Sequence, residues 1–151
     1  MKNILKKTYL FTFILISIFV SCTVKTTTTN NVEDKNKAEA ISNRFYDALK
    51  KEQYLKTVGL FSPQFFHVLS KETLLKNYAK ISHEQGTVVS QNLIEWHTKT
   101  VSNDESKNVY TLTFNVKRTI NKTIETITFY MEHNALKIVN YDIKYSLNKS
   151  L

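Results

Sequence analysis

Residues 109–118 read VYTLTFNVKR. Tyr110, Leu112, Phe114 and Val116 alternate with Thr111, Thr113, Asn115 and Lys117. A period of two sends successive side chains to opposite sides of a pleated strand, so the stretch predicts a half-buried β-strand. The same period continues downstream. After an INKT turn, IETITFYM places Ile127, Phe129 and Met131 inward and Thr126, Thr128 and Tyr130 outward. After an EHNA turn, LKIVNYDIKY puts Val139, Tyr141, Ile143 and Tyr145 on one face. Leu136 and Ile138 are out of phase with that set, which predicts a bulge near residue 138. This last run is the longest apolar one and reads as a central strand. Upstream, TVVSQNLIEWHTKTV gives a long first strand, joined to the second by the polar loop NDESKN, residues 103–108.

Before Thr87 the period lengthens. In KAEAISNRFYDALKKEQY the residues Ala38, Ile41, Phe45, Ala48 and Leu49 recur every three or four positions and form one helical stripe. YLKTVGLFS reads as a short second helix, and Ser62-Pro63 as a helix start leading into one or two turns. Ser70 caps a third helix carrying Leu74, Tyr78 and Ile81, and Gly86 ends it in the left-handed conformation of a helix C-terminus. Three helices followed by a four-stranded antiparallel meander signal an α+β domain with one sheet face covered, spanning residues 37–148. Its outward face (Thr111, Thr113, Asn115, Lys117, Thr126, Thr128, Asn140, Asp142, Lys144) is too polar for an obligate interface, so a monomer is expected.

This order resembles the cystatin-like, nuclear-transport-factor-like cone fold. The run AEAISNRFYDALKKEQYLKTVGLFSPQFF…SKETLLKNYAKISHEQG is similar to small bacterial envelope lipoproteins of uncharacterised families in that superfamily. The matching features are Lys51 to Tyr54, Phe61-Ser62, Ser70, Gly86 and the closing strand Leu136 to Tyr141. The resemblance covers about 110 residues and implies three N-terminal helices packed on a curved four-stranded sheet around a conical pocket. Pocket enzymes of that superfamily, of the isomerase or cyclase type, carry buried acids and histidines.

The inward strand positions assigned above hold no acid. Asn140 and Asp142 fall on the outward phase, and Asp47 on the polar side of the first helix. No catalytic residue is therefore assigned, and a non-enzymatic role is the first reading. Glu95 and His97 share one strand face with Trp96 on the other, a spacing that serves two metal ligands or an acid/base dyad. Without a third ligand it reads as a surface ion pair, so no metal is expected. His67, His83 and His133 fall at turns or helix ends. Tyr46, Tyr78, Trp96, Tyr110, Phe114, Phe129 and Tyr141 are the candidate lining of a pocket for a small apolar ligand, and equally the material of a packed core.

Composition excludes several classes. One cysteine rules out an internal disulfide and multi-cysteine zinc or iron–sulfur sites. Two glycines, Gly59 and Gly86, leave no phosphate-cradling loop, so no nucleotide cofactor is expected. The net charge of +8 drops to +5 without Lys2, Lys6 and Lys7, is dispersed, and includes only two arginines, so nucleic acid is not an expected partner.

Those three lysines open the remaining segment. MKNILKK, then the thirteen-residue TYLFTFILISIFV, then Ser21-Cys22 form the n-region, h-region and cleavage context of an export signal, residues 1–21. The apolar run is short of the roughly 20 residues a spanning helix needs. Phe19-Val20-Ser21-Cys22 resembles a bacterial lipobox, matching at three of four positions with Phe19 where Leu is usual. The resemblance implies diacylglyceryl transfer to the Cys22 thiol, cleavage before it, and acylation, typically by palmitate, of the new amine. Several chains matter because one acyl chain holds only weakly, at about 0.8 kcal/mol per buried CH₂. Residues 22–36 are polar and low in complexity and read as a flexible tether with a root-mean-square span near 20 Å.

The expectation is a lipid-anchored protein of the bacterial cell envelope, at the outer membrane facing periplasm or surface. It would bind a small apolar ligand, a peptide or an envelope protein partner. The alternatives are a pocket acid/base enzyme of the isomerase or cyclase type and an immunity or inhibitor protein.

Overall fold

The computed structural model describes residues 26–102 and 108–145. Cys22, the export signal and most of the 103–108 loop lie outside the described residues. The elements are β1 (Thr27–Thr29), α1 (Val32–Lys50), α2 (Leu55–Val58), α3 (Phe65–Val68), α4 (Lys71–Gln85), β2 (Val88–Val101), β3 (Val109–Arg118), β4 (Lys122–Glu132) and β5 (Ala135–Tyr145). The strands form one antiparallel sheet in the order β1-β2-β3-β4-β5. The α+β class is as expected, but the sheet has five strands, not four. The helices are not a purely N-terminal set either, because a strand precedes them.

The extra strand lies in the expected tether. Thr27, Thr28 and Thr29 pair with Val101, Thr100 and Lys99. β-branched threonine suits a strand as well as it suits a polar linker, and composition alone does not separate the two. α1 then begins at Val32 rather than near residue 37. The Asn31 side chain accepts hydrogen bonds from the amides of Glu33 (2.8 Å) and Asp34 (3.2 Å). Both acids sit in the first turn, where the helix dipole favours them. That polar turn has no apolar periodicity to announce it.

Ser70 caps α4 as expected, its hydroxyl accepting from the Thr73 amide at 3.2 Å. Gly86 follows with φ +86° and ψ 166°, which is positive-φ but extended, not left-handed helical. The chain thus runs straight from α4 into β2. A side-chain carbon here would lie 2.2 Å from Thr119 Oγ1 and 2.5 Å from the Ile120 nitrogen, so the position requires glycine.

The β4–β5 turn places His133 (φ 48°) and Asn134 (φ 61°) between the paired residues Glu132 and Ala135. Two consecutive positive φ values make a primed hairpin turn, matched to the twist of the sheet. In β5 the register shifts: Phe129 faces Ile138, while Thr128 faces Asn140. Val139 is the extra residue, and the bulge expected there moves the inward phase from Leu136 and Ile138 to Tyr141 and Ile143.

β5 is an edge strand rather than a central one. Its apolar length is explained by this double phase and by cover from the α2–α3 connection. The Ile138 amide donates to the Leu60 carbonyl, and the Ser62 amide to the Ile138 carbonyl, both at 2.9 Å. That single parallel bridge blunts the edge at one residue.

The helices pack on the inner face of the sheet. Phe45 is the hub, with ring centroids 5.0 Å from Tyr141, 5.3 Å from Tyr46, 6.1 Å from Phe61 and 6.2 Å from Tyr78, in edge-on or steeply inclined pairs. Leu112, Phe114, Val116, Ile127, Phe129 and Ile138 complete the buried floor.

Candidate functional site

The inward face carries an acid after all. Glu125 has no exposed surface, and the expectation of an acid-free interior is corrected here. On β4 the inward phase Ile127, Phe129 extends back to Glu125 and Thr123. On β3 the phase Tyr110 to Val116 extends on to Arg118. The reading of the alternation stopped one period short on each strand. Extending it by two residues is the signal that finds both charges.

The hairpin brings these side chains together. Glu125 Oε1 accepts from Arg118 Nη2 at 2.7 Å, from Arg118 Nε at 3.2 Å and from the Thr123 hydroxyl at 2.6 Å. Its Oε2 accepts from the Tyr141 hydroxyl at 2.5 Å. Arg118 Nη1 donates to the Gly86 carbonyl at 3.3 Å, which ties the pair to the α4–β2 junction. Burial works against the charge on Arg118, yet the carboxylate beside it leaves the guanidinium pKa raised. Guanidinium and carboxyl group thus meet at 2.7 Å as a buried ion pair.

Tyr46 closes the cluster from α1. Its hydroxyl is buried and falls outside hydrogen-bonding geometry, yet Glu125 lies near enough to act on it both by charge and as an acceptor. Burial first, and that negative charge second, push the pKa values of Tyr46 and Tyr141 well above the ordinary tyrosine range. Tyr78 is raised too, chiefly by burial, and its hydroxyl accepts from Thr57 at 3.4 Å.

Of the aromatic residues expected to line a pocket, Tyr46, Tyr78, Tyr110, Phe114 and Phe129 are buried in one continuous core, with Trp96 and Tyr141 partly buried against it. Two of them also border concavities, Tyr78 a small void beside Arg118 and Tyr141 a groove along β5. The void beside Arg118, lined by Leu49, Tyr54, Tyr78, Ile81, Ser82, Thr87 and Val88, measures about 10 Å³, space for about one water. Glu95 and His97 are both exposed on the outer face, with Trp96 turned inward as expected. Among the described residues no three metal-ligating side chains cluster, and no helix is long and apolar enough to cross a membrane.

The larger concavities are on the surface. One, of about 400 Å³, is bordered by Lys37, Ile41, Arg44, Leu60, Met131 and Lys137. Another, of about 710 Å³, runs along β5. One wall is α3 and its end, with Gln64, Phe65, Val68 and Leu69; the other is Thr128, Tyr130, Val139, Asn140 and Tyr141. Val68 is 92% exposed there. Beyond Ile138, no described residue outside the sheet pairs with the main chain of β5. This groove joins an apolar wall to a strand edge that, past Ile138, no other described residue pairs. Sequence periodicity could not find it, because it depends on where α3 sits against β5.

No family model matches the chain, and no curated protein matches it.

Proposed function

We propose that the chain is a lipid-anchored envelope protein, attached through acylated Cys22, whose α+β domain binds an extended apolar peptide segment of an envelope partner and catalyses no reaction. The groove of about 710 Å³ on the edge of β5 carries this reading. An extended segment would add to β5 through main-chain hydrogen bonds and lay alternate side chains against Phe65, Val68 and Leu69. The register shifts in β2 and β5 bend the sheet, which supports the cone-type fold suggested by the sequence.

Glu125 and Tyr141 are the one observation favouring an acid/base enzyme instead. The packing counts against it. Oε1 already takes three donors and Oε2 takes Tyr141, and about 10 Å³ of void admits no substrate.

Selection of peptides on the full chain, followed by amide hydrogen exchange, tests the peptide reading. Bound peptides should be extended and apolar, should slow exchange within residues 139–145 several-fold, and should be lost in Val68→Glu. Binding that leaves those amides unchanged would overturn it.

A further inference from the structure

The polar segment that was expected to hold the domain well clear of the membrane is fastened to the sheet. The Thr26 amide donates to Ser102 Oγ at 2.7 Å, the Ser102 amide donates to the Thr26 carbonyl at 2.8 Å, and Thr27–Thr29 continue as β1. Only Thr23, Val24 and Lys25 separate Cys22 from that fastening. Four Cα steps reach at most about 14 Å, whatever conformation they take. The polar layer of one leaflet takes up about 5–8 Å of this distance.

We infer that the β1 corner of the domain, formed by Thr26 to Asn30 with Ser102, rests on the bilayer surface, and that the β5 edge with its groove is presented away from it. The inference relies on acylation of Cys22 and adds the orientation that acylation imposes. The corner suits such a contact. Thr26, Thr28, Asn30 and Ser102 are exposed, uncharged hydrogen-bonding side chains. They can meet the phosphate and ester oxygens of any phospholipid, and exposed Lys99, paired with Thr29 beside them, adds one cation to the contact, so the partner is a headgroup surface without a requirement for anionic lipid. β5 lies four strand spacings from β1, about 19 Å across the sheet. A leash shorter than the sheet is wide holds the β1 corner near the surface, and because the bilayer excludes the domain, β5 lies farther out on average.

The experiment uses the full acylated chain in vesicles carrying a headgroup quencher, with a fluorophore on a cysteine introduced by Thr28→Cys or by Lys144→Cys. Acylation consumes the thiol of Cys22, and the chain has no other cysteine, so the introduced thiol alone is labelled. The label at position 28 should be quenched several-fold more than that at position 144, in zwitterionic and anionic vesicles alike. A ten-residue Gly/Ser insertion after Val24 should remove the difference. Equal quenching on acylated protein, or a difference seen only with anionic lipid, would overturn the orientation and leave the anchor standing. A wild-type chain with a reactive Cys22 thiol and no vesicle association would overturn the anchor, and the orientation with it.

Discussion

The interior has two unlike halves. Around Phe45, Phe61, Phe129 and Ile138 it is dry and aromatic, and each side chain contributes through the area it removes from water. Around Arg118, Thr123, Glu125 and Tyr141 it is polar, and each group is tolerable only because the others are present. A buried charge costs several kcal/mol in desolvation, which its partner offsets only while the geometry holds. The apolar half therefore degrades by increments, whereas the polar half fails when any single member is removed.

The sharpest way to break this comparison is to remove the charges one at a time and then together. Arg118→Met or Glu125→Leu alone should lower unfolding free energy by about 3–5 kcal/mol, because each leaves an unpaired buried charge. The double variant should recover part of that loss, staying short of the parent chain by the hydrogen bonds that Tyr141 and Thr123 lose with Glu125. Denaturant unfolding of the three proteins measures it. A double variant no better than the singles would mean that the polar half behaves as ordinary packing.

High pH attacks the same region from the other side. Tyr46, Tyr78 and Tyr141 all have raised pKa values, mainly through burial. Unfolded tyrosine ionises near pH 10, where the folded chain still holds these protons. Their contribution is therefore fully present below about pH 10 and is lost as pH rises, by about 1.4 kcal/mol per unit for each tyrosine, or about 4 kcal/mol for all three. Urea midpoints at pH 9, 10 and 11 should fall slightly over the first interval and about three times as much over the second. A midpoint unchanged at pH 11 would mean that the tyrosines ionise within the folded state.

The two halves also differed in legibility. Phe45, Phe114 and Phe129 follow from periodicity alone, as do the bulge at Val139 and the cap at Ser70. Arg118 and Glu125 obey the same periodicity but lie at strand ends, where a charged residue reads as the start of a turn. Register decides otherwise: Phe114 faces Glu125 across the hairpin, so the acid must point where the phenylalanine points. β1 escaped detection because three threonines carry no alternation. The edge position of β5 escaped because apolar content reports burial, and here the cover comes from Leu60 to Ser62 rather than from another strand.

The finest comparison lies within the polar half, between two tyrosines facing one carboxylate. The Tyr141 hydroxyl donates to Glu125 Oε2 at 2.5 Å, while that of Tyr46 is buried beside the same carboxylate and outside hydrogen-bonding geometry. Hydrogen bonds to a charged group contribute about 1.5–3 kcal/mol, so Tyr141→Phe should destabilise by that amount. An unpaired buried hydroxyl carries a desolvation cost of about 1–3 kcal/mol that phenylalanine does not. Tyr46→Phe keeps the ring edge-on against Phe114, whose centroid is 5.2 Å away, and should stabilise the fold by about 1 kcal/mol. The two substitutions remove the same atom from the same neighbourhood and should move the denaturation midpoint in opposite directions. If both lower it, the Tyr46 hydroxyl has a partner in solution, and the Glu125 carboxylate that already acts on it is the first candidate.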